Sequence, residues 1–243
     1  DKVKWLGGLM PLAAFIKESG YDFDTVKPSL DWYERQLRKL SNVSIRLGVE
    51  VDAALVEKEK PDAIIISPGS KWVVPDIPGK DRKNVVTIRQ LKGYSRSFFN
   101  KKAQKIVIIG GDLMGAESAE FFIRRGKQVV IIKEDEQLWR GMNLHLQLMW
   151  GPWVAARKVP IYTGVTYEEI TDKGVRIKTK EGEEKLIEGD TVMIIAKDKK
   201  NDDLYRALQG KAPEVYLIGD GKEDANAWFD GAVHQGVRAA LKL

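Results

Sequence analysis

Glycines at 110, 111 and 115 stand where an apolar run (Ile106, Val107, Ile108 and Ile109) gives way to helical spacing over 113–125, and a second apolar run follows at 129–132. Strand, glycine turn, helix and strand in that order form a βαβ dinucleotide-binding pattern. In such a unit the helix N-terminus offers its N–H groups to a cofactor pyrophosphate. The candidate contacts are Gly110, Gly111, Leu113, Met114 and Gly115. The second glycine of the three-glycine fingerprint lets the backbone touch the pyrophosphate. Here that position is Asp112, a carboxylate facing an anion. The chemistry on offer is anion binding with one group of the wrong sign.

Other reactive side chains are sparse. The chain has no cysteine, which excludes a disulfide framework, thiolate metal ligands, iron–sulfur ligation and a thiol redox pair. His145 and His234 lie far apart in sequence, so no metal site is expected. No Ser-His-Asp order appears, and no residue is assigned a catalytic role. Glu117, in the first turn of the helix, is explained by the helix dipole. His145 and His234 read as packed structural residues, and Trp139, Trp150 and Trp153 as core or interface packing. The run KEDE at 133–136 reads as a solvated loop.

These residues belong to a chain of 243, long enough for two domains. A net charge of +5 with acidic residues interspersed describes a solvated surface rather than a nucleic-acid footprint. No apolar run is long enough for a membrane helix and no secretory signal opens the chain, so neither nucleic acid nor membrane is expected as a partner. A cytoplasmic location is the default expectation, and an oligomer is left open. Leu30, Tyr33, Leu37 and Leu40 share one face of a helix over 29–40, with Ser29 as its cap. A strand is expected at 44–47, and a buried strand at 63–67 ending in Pro68-Gly69. Residues 71–104 read as a connection, and 136–158 as an apolar helix broken near Gly151-Pro152. Alternation over 165–180 and 185–195 predicts a small meander ending in a strand at 191–195. A last strand at 215–218 runs into Gly219-Asp220, and a helix over 227–242 follows. The expected architecture is α/β: two Rossmann-like dinucleotide-binding units with central parallel sheets and a small β meander. The second unit, 102–196, is inserted in the first, 1–101 with 197–243.

Taken in order, LGGLMPLAA (6–14), IIISPGS (64–70), VIIGGDLMGAESAEF (107–121) and YLIGDGKEDANAWFDGAVHQGVRAALKL (216–243) resemble a known arrangement. It is that of the C-terminal flavin and nicotinamide domains of the 2,4-dienoyl-CoA reductase and trimethylamine dehydrogenase group of NADH:flavin oxidoreductases. The resemblance covers nearly the whole chain. It implies FAD as cofactor of the complete protein, and a missing N-terminal barrel with FMN and an iron–sulfur cluster as partner domain. The implied function is a flavin- and nicotinamide-binding module that passes reducing equivalents through FAD to that partner. The alternative is a degenerate dinucleotide-binding domain with a structural or docking role and no turnover.

The resemblance also implies residues. Gly7 and Gly8 would pass close to the phosphate and ribityl region of the flavin, and Val51 would offer backbone contacts to adenine. Ser67, Pro68 and Gly69 stand at the family's close-approach turn. Gly219 and Asp220 match its Gly-Asp motif, whose carboxylate binds the ribityl chain. Gln235, Gly236 and Val237 open the last helix near the isoalloxazine. In the family the flavin domain opens with its own strand, glycine motif and helix, and Asp1 falls about where the acidic ribose ligand belongs. The chain is therefore expected to be a fragment, inactive by itself and unable to hold FAD stoichiometrically.

The nicotinamide site departs from the pattern at Asp112, at Lys133 (where an NAD site has an acid for the ribose) and at Lys197 (where the family has glycine). A lysine at the end of the second strand favours NADP by neutralising a 2′-phosphate. Like charges ~4 Å apart cost roughly 4 kcal/mol at an effective dielectric near 20, about a thousandfold in affinity. NAD(P) binding is thus expected to be weakened or lost, with NADP the form to test first, and Asp112→Gly to restore it.

Overall fold

A computed structural model describes residues 1–17, 26–90, 103–139, 142, 144–195, 197–222 and 228–243. In chain order the elements are helices α1 (Met10–Lys17), α2 (Val26–Lys39) and α3 (Ala53–Glu59), then strands β1 (Ala63–Ile66), β2 (Lys71–Val73), β3 (Val85–Thr87) and β4 (Lys105–Ile109). Helix α4 (Leu113–Ile123), β5 (Gln128–Ile132), α5 (Leu144–Ala156) and β6 (Ile161–Tyr162) follow. Strands β7 (Thr166–Thr171), β8 (Gly174–Lys178), β9 (Glu184–Glu188), β10 (Thr191–Ile194) and β11 (Lys197–Lys199) precede α6 (Asp203–Leu208), β12 (Glu214–Leu217) and α7 (Trp228–Ala240). The chain divides into two compact units, Asp1–Leu9 with Ser29–Val73 and Lys197–Leu243, and Met10–Pro28 with Val74–Ala196.

The second of these units is built on a five-stranded sheet in the order β3-β10-β4-β5-β6, every neighbouring pair parallel. Parallel strands covered on both faces read as unbroken apolar runs. Accordingly Ile106, Val107, Ile108, Ile131, Ile132, Val192, Met193 and Ile194 are fully buried. One face packs on the antiparallel sheet β7-β8-β9: Val107, Ile109, Val130, Ile132, Val192 and Ile194 share a core with Ile170, Val175, Ile177 and Ile187. Helix α4 is apolar nearly all round, because it is covered on more than one side. Ala116, Ala119 and Phe122 are fully buried, and Phe121 meets Phe15 of α1 with ring centroids 5.7 Å apart. The buried Glu120 is held by Arg124 Nε at 2.6 Å.

The first-named unit has a two-stranded parallel sheet, β1 beside β12, with Ala63 opposite Glu214 and Ile66 opposite Leu217. Val56 of α3 and Leu208 of α6 are buried with Ile66 and Leu217. Helix α3 starts sharply because Asp52 Oδ1 accepts the N–H of Leu55 at 2.8 Å, and it stops on Lys60 in a left-handed conformation. Strands β2 and β11 form a small antiparallel ribbon.

Several sequence expectations are corrected. Ser29 lies inside α2, which already starts at Val26, so it is not the cap. Residues 44–47 form no strand; Gly48 and Val49 donate to the carbonyls of Val3 and Asp1 at 3.0 Å, a short extended pairing without a full ladder. Residues 71–104 are more than a connection, since they supply β2 and β3. Strand β10 joins the parallel sheet rather than the meander. Pairing with β10 places Val85–Thr87 in the parallel sheet of the second unit. Helix α5 runs unbroken through Gly151-Pro152. A proline in a helix interior removes one hydrogen bond, and here Trp150, Val154 and the partly buried Trp153 hold the helix against Trp139, Met142 and Ile161.

Candidate functional site

In the second unit the chain leaves β4 and turns at Gly110, whose φ of 116° is a conformation that L side chains rarely adopt. A Cβ there would lie 2.9 Å from Cβ of Ile195. The third glycine of the pattern, Gly115, is in the first turn of α4, and a Cβ on it would sit 2.2 Å from the carbonyl oxygen of Gly110. That contact seats the start of the helix directly on the strand end. Gly111 is buried against Leu138 and the stem of Lys133, while Leu113 and Met114 of the first turn are partly exposed. Gly110, Gly111, Asp112, Leu113, Met114, Gly115 and Lys133 are thus gathered at the carboxyl ends of β4 and β5.

Asp112 is the N-cap residue of α4, yet its side chain makes no cap hydrogen bond. Its Oδ1 accepts instead from Lys133 Nζ at 2.7 Å. The same ammonium donates to the carbonyl of Gln137 at 2.9 Å and lies 3.6 Å from Asp135 Oδ2. The Lys133 side chain is only 4% exposed, whereas Asp112 is 50% exposed. Two expectations change. The run 133–136 is not uniformly solvated, because its lysine is buried, and Lys133 points into the protein rather than out toward a 2′-phosphate. Lys197 has its backbone in β11, and its side chain lies outside the described residues.

Sequence reading passed over Tyr167. Its hydroxyl accepts the N–H of Glu134 at 2.9 Å and donates to the carbonyl of Ile132 at 3.4 Å, fixing the exit from β5. Alternation along β7 marked it as an inward residue, but nothing in the sequence tied it to this loop. Burial raises its phenol pKa well above 10.0; the bond from Glu134 N–H pulls the other way, and the Glu134, Asp135 and Asp112 carboxylates add to the rise. A raised pKa means that the contribution to stability is complete below about pH 10, the unfolded value, and fades as pH rises through the folded one. Alkaline titration of tyrosinate absorbance should therefore show a late-ionising tyrosine that Tyr167→Phe removes, with about 1 kcal/mol of stability. An unchanged titration curve would refute the buried placement.

In the other unit Ser67, Pro68 and Gly69 follow β1, and Gly219 and Asp220 follow its parallel neighbour β12. Gly69 and Gly219 both have φ of 69°. Gln235 of α7 accepts the Gly219 N–H at 2.9 Å, and Asn201 donates to the carbonyl of Pro68 at 3.4 Å. A Cβ on the neighbouring Gly221 would meet Pro68 Cγ at 3.0 Å, and one on Gly236 would meet Ile218 at 3.7 Å. Residues 67–69, 219–220 and 235–236 therefore converge. Val237 is 53% exposed. Gly7 and Gly8 form a left-handed turn and Val51 precedes α3, and among the described residues no hydrogen bond joins these three to the cluster. His145 and His234, expected to be packed, are exposed on α5 and α7. Trp139 and Trp150 are buried in one apolar cluster, against which Trp153 packs. Among the described residues no group of acids and histidines is placed to hold a metal, and no helix is long and apolar enough to cross a membrane.

The chain is similar to a family of known proteins. The model of the pyridine nucleotide-disulphide oxidoreductase family matches residues 4–236. A bilirubin reductase of Mediterraneibacter gnavus is 28% identical over 249 residues, covering 100% of this chain and 36% of its own. An NADH oxidase of Thermoanaerobacter brockii is 26% identical over 221 residues, covering 90% of this chain and 33% of its own. The solved 2-naphthoyl-CoA reductase in complex with 2-naphthoyl-CoA is 28% identical and superimposes with a TM-score of 0.83, over 100% of this chain and 35% of that one. The chain spans about a third of the length of these relatives.

Proposed function

The chain belongs to the pyridine nucleotide-disulphide oxidoreductase family, and from that premise we propose that it is the flavin- and nicotinamide-binding module of an NAD(P)H:flavin oxidoreductase. The observation that carries the reading is a repeated one. In each unit a left-handed glycine follows the carboxyl end of a parallel strand, Gly110 in one and Gly69 and Gly219 in the other. Ligands of open α/β sheets bind in the crevice at those ends. The likeness to 2-naphthoyl-CoA reductase supports the 2,4-dienoyl-CoA reductase and trimethylamine dehydrogenase group as the branch.

The residues present fit the cofactors. Ser67, Pro68, Gly69, Gly219, Asp220, Gln235 and Gly236 would hold FAD, with Gly7, Gly8, Val51 and Val237 as further contacts. Gly110, Gly111, Leu113, Met114 and Gly115 would hold the nicotinamide dinucleotide: a Cβ at Gly115 would strike the Gly110 carbonyl, so the glycine lets the N-terminus of α4 sit on the end of β4, where the pyrophosphate would bind. Bound flavin supplies the electron chemistry, and the protein supplies binding, orientation and electrostatics. The partner for reducing equivalents is an FMN- and iron–sulfur-carrying domain. A second reading, a dinucleotide-fold domain without turnover, draws on the ion pair of Asp112 and Lys133 at the mouth of the helix. Isolated from its native source, the protein should carry flavin whose visible bands bleach on anaerobic addition of NADH or NADPH. Asp220→Ala should lower the flavin content at least tenfold. A colourless protein, or a flavin indifferent to both nucleotides, would leave the second reading standing.

A further inference from the structure

We infer that Trp139 is a positioning residue of the dinucleotide site in the second unit. It fastens the glycine turn and the first turn of α4 to each other, so that both face the pyrophosphate as one rigid piece. This role rests on the oxidoreductase reading and deepens it with a residue outside the glycine pattern.

The backbone marks the position. Among the described residues, the non-glycine positions with positive φ are Lys60, Trp139 and Lys158. Lys60 and Lys158 lie just past the ends of α3 and α5, where a left-handed residue commonly closes a helix. Trp139, with φ of 61°, lies instead in the loop that leaves β5 and ends no helix. A bulky side chain is a poor occupant of that region, and it persists there only where its surroundings hold it.

The surroundings of Trp139 are the two halves of the anion cradle. Its main-chain N–H donates to the carbonyl of Gly111 at 3.4 Å. The preceding Leu138 lies against the same glycine, where a Cβ would meet Leu138 Cδ2 at 3.0 Å. The indole is 8% exposed and shares an apolar cluster with Ala116, against which Leu113 also packs; both come from the first turn of α4. Trp150 and Val154 of α5 complete the cluster. The Trp139 carbonyl accepts the N–H of Met142 at 3.0 Å, which closes the chain behind it. A hydrogen bond of 3.4 Å is long, so the buried indole supplies most of the hold. One residue thus grips the strand-end turn with its main chain and the start of the helix with its side chain. Donors to a pyrophosphate come from both pieces, and a binding constellation works only when its supporting residues hold it to about half an ångström.

The pyrophosphate is common to NADH and NADPH, so loss of the anchor should weaken both alike. The test is calorimetric titration of the 243-residue chain with each nucleotide, at a temperature where every variant is folded. Trp139→Leu should weaken both by about tenfold and leave their ratio unchanged. Trp150→Leu removes the same groups from the same cluster on the α5 side. It should lower the melting temperature comparably, through the cavity it leaves, yet keep affinity within about twofold of the parent. Trp139→Phe, which keeps a ring in the cluster, should recover most of the affinity. In the unaltered chain NADH should slow hydrogen exchange at the Trp139 amide, a measurement that stands even where a variant fails to fold. Parental affinity in Trp139→Leu, equal losses in the two leucine variants, no recovery in Trp139→Phe, or a Trp139 amide indifferent to NADH overturns the inference and leaves the oxidoreductase reading intact. A chain that binds neither nucleotide overturns both.

Discussion

Gly115→Ala should destabilise the second unit by about 2–4 kcal/mol and abolish nucleotide binding there. The added methyl would be placed 2.2 Å from the carbonyl oxygen and 2.9 Å from the carbonyl carbon of Gly110, both backbone atoms that no rotamer change can move. Relief requires α4 to lift from the end of β4. That helix carries Ala116, Ala119 and Phe122 into the core at zero exposure, so lifting it opens contacts well beyond the glycine. Gly151→Ala is the control, since apart from its chain neighbours nothing lies within 4 Å of a Cβ at that helix-interior position. It should change stability by less than about 1 kcal/mol, because the gain in helix propensity is offset by crowding of the new Cβ against the ring of Pro152. Chemical denaturation followed by tryptophan fluorescence reads both. A Gly115→Ala protein as stable as the parent would mean that α4 does not rest on the turn.

Asp112→Gly should have two opposed consequences. The glycine removes a carboxylate from the helix mouth and leaves the Lys133 ammonium, 4% exposed, without its carboxylate at 2.7 Å. Breaking a fully buried ion pair costs about 3–5 kcal/mol. Because Asp112 is half exposed and Asp135 lies 3.6 Å from the same ammonium, about 1–2 kcal/mol is expected here, seen as a melting temperature lower by roughly 3–6 °C. In the same protein the Lys133 ammonium, relieved of Asp112, lies beneath a helix N-terminus, so dinucleotide affinity should rise about tenfold or more, most for NADPH. Stability lost with affinity gained is the signature. Loss of both would mean that Asp112 organises the turn rather than guarding it, and no change in either would mean that the pair does not form in solution.

The strand–turn–helix at 105–132 was legible because its signal is local. Four consecutive β-branched residues, two glycines and a run of helix formers sit next to one another in sequence, and the structure places them within a residue or two of expectation. The meander was legible for the same reason, as period-2 alternation with Gly174 at the turn into β8. What escaped depends on partners distant in sequence. Strands β2 and β3 have three residues each, too short for periodicity, and exist because β11 and β10 pair with them. The environment of Lys133 escaped because the charge pattern KEDE looks soluble, while its burial is set by Asp112, Gln137 and Gly111 from the turn and loop packed over it. The unbroken α5 escaped because local rules count the proline and cannot count the Trp150 and Val154 packing that outweighs it. Of the candidate site, the glycines were readable from sequence; the direction in which each charge points was not.

The insertion of β10 between β3 and β4 also dictates an order of assembly. Residues 191–194 fill the gap between strands that leave the ribosome about a hundred residues earlier at 85–87 and about eighty earlier at 105–109. Until they arrive, β3 has no neighbour in this sheet, and β4 presents an open flank of Ile106, Val107, Ile108 and Ile109. The meander 166–188 is synthesised just before the closing strand, and its hairpins form from neighbours in sequence, so it can shield one face of β4 and β5 during the wait. Long-range parallel pairing of this kind is slow, and an apolar flank left open in the interval is a site for association with other nascent chains. During synthesis the vulnerable interval of this protein is thus the stretch of translation that ends when Ile194 clears the exit tunnel.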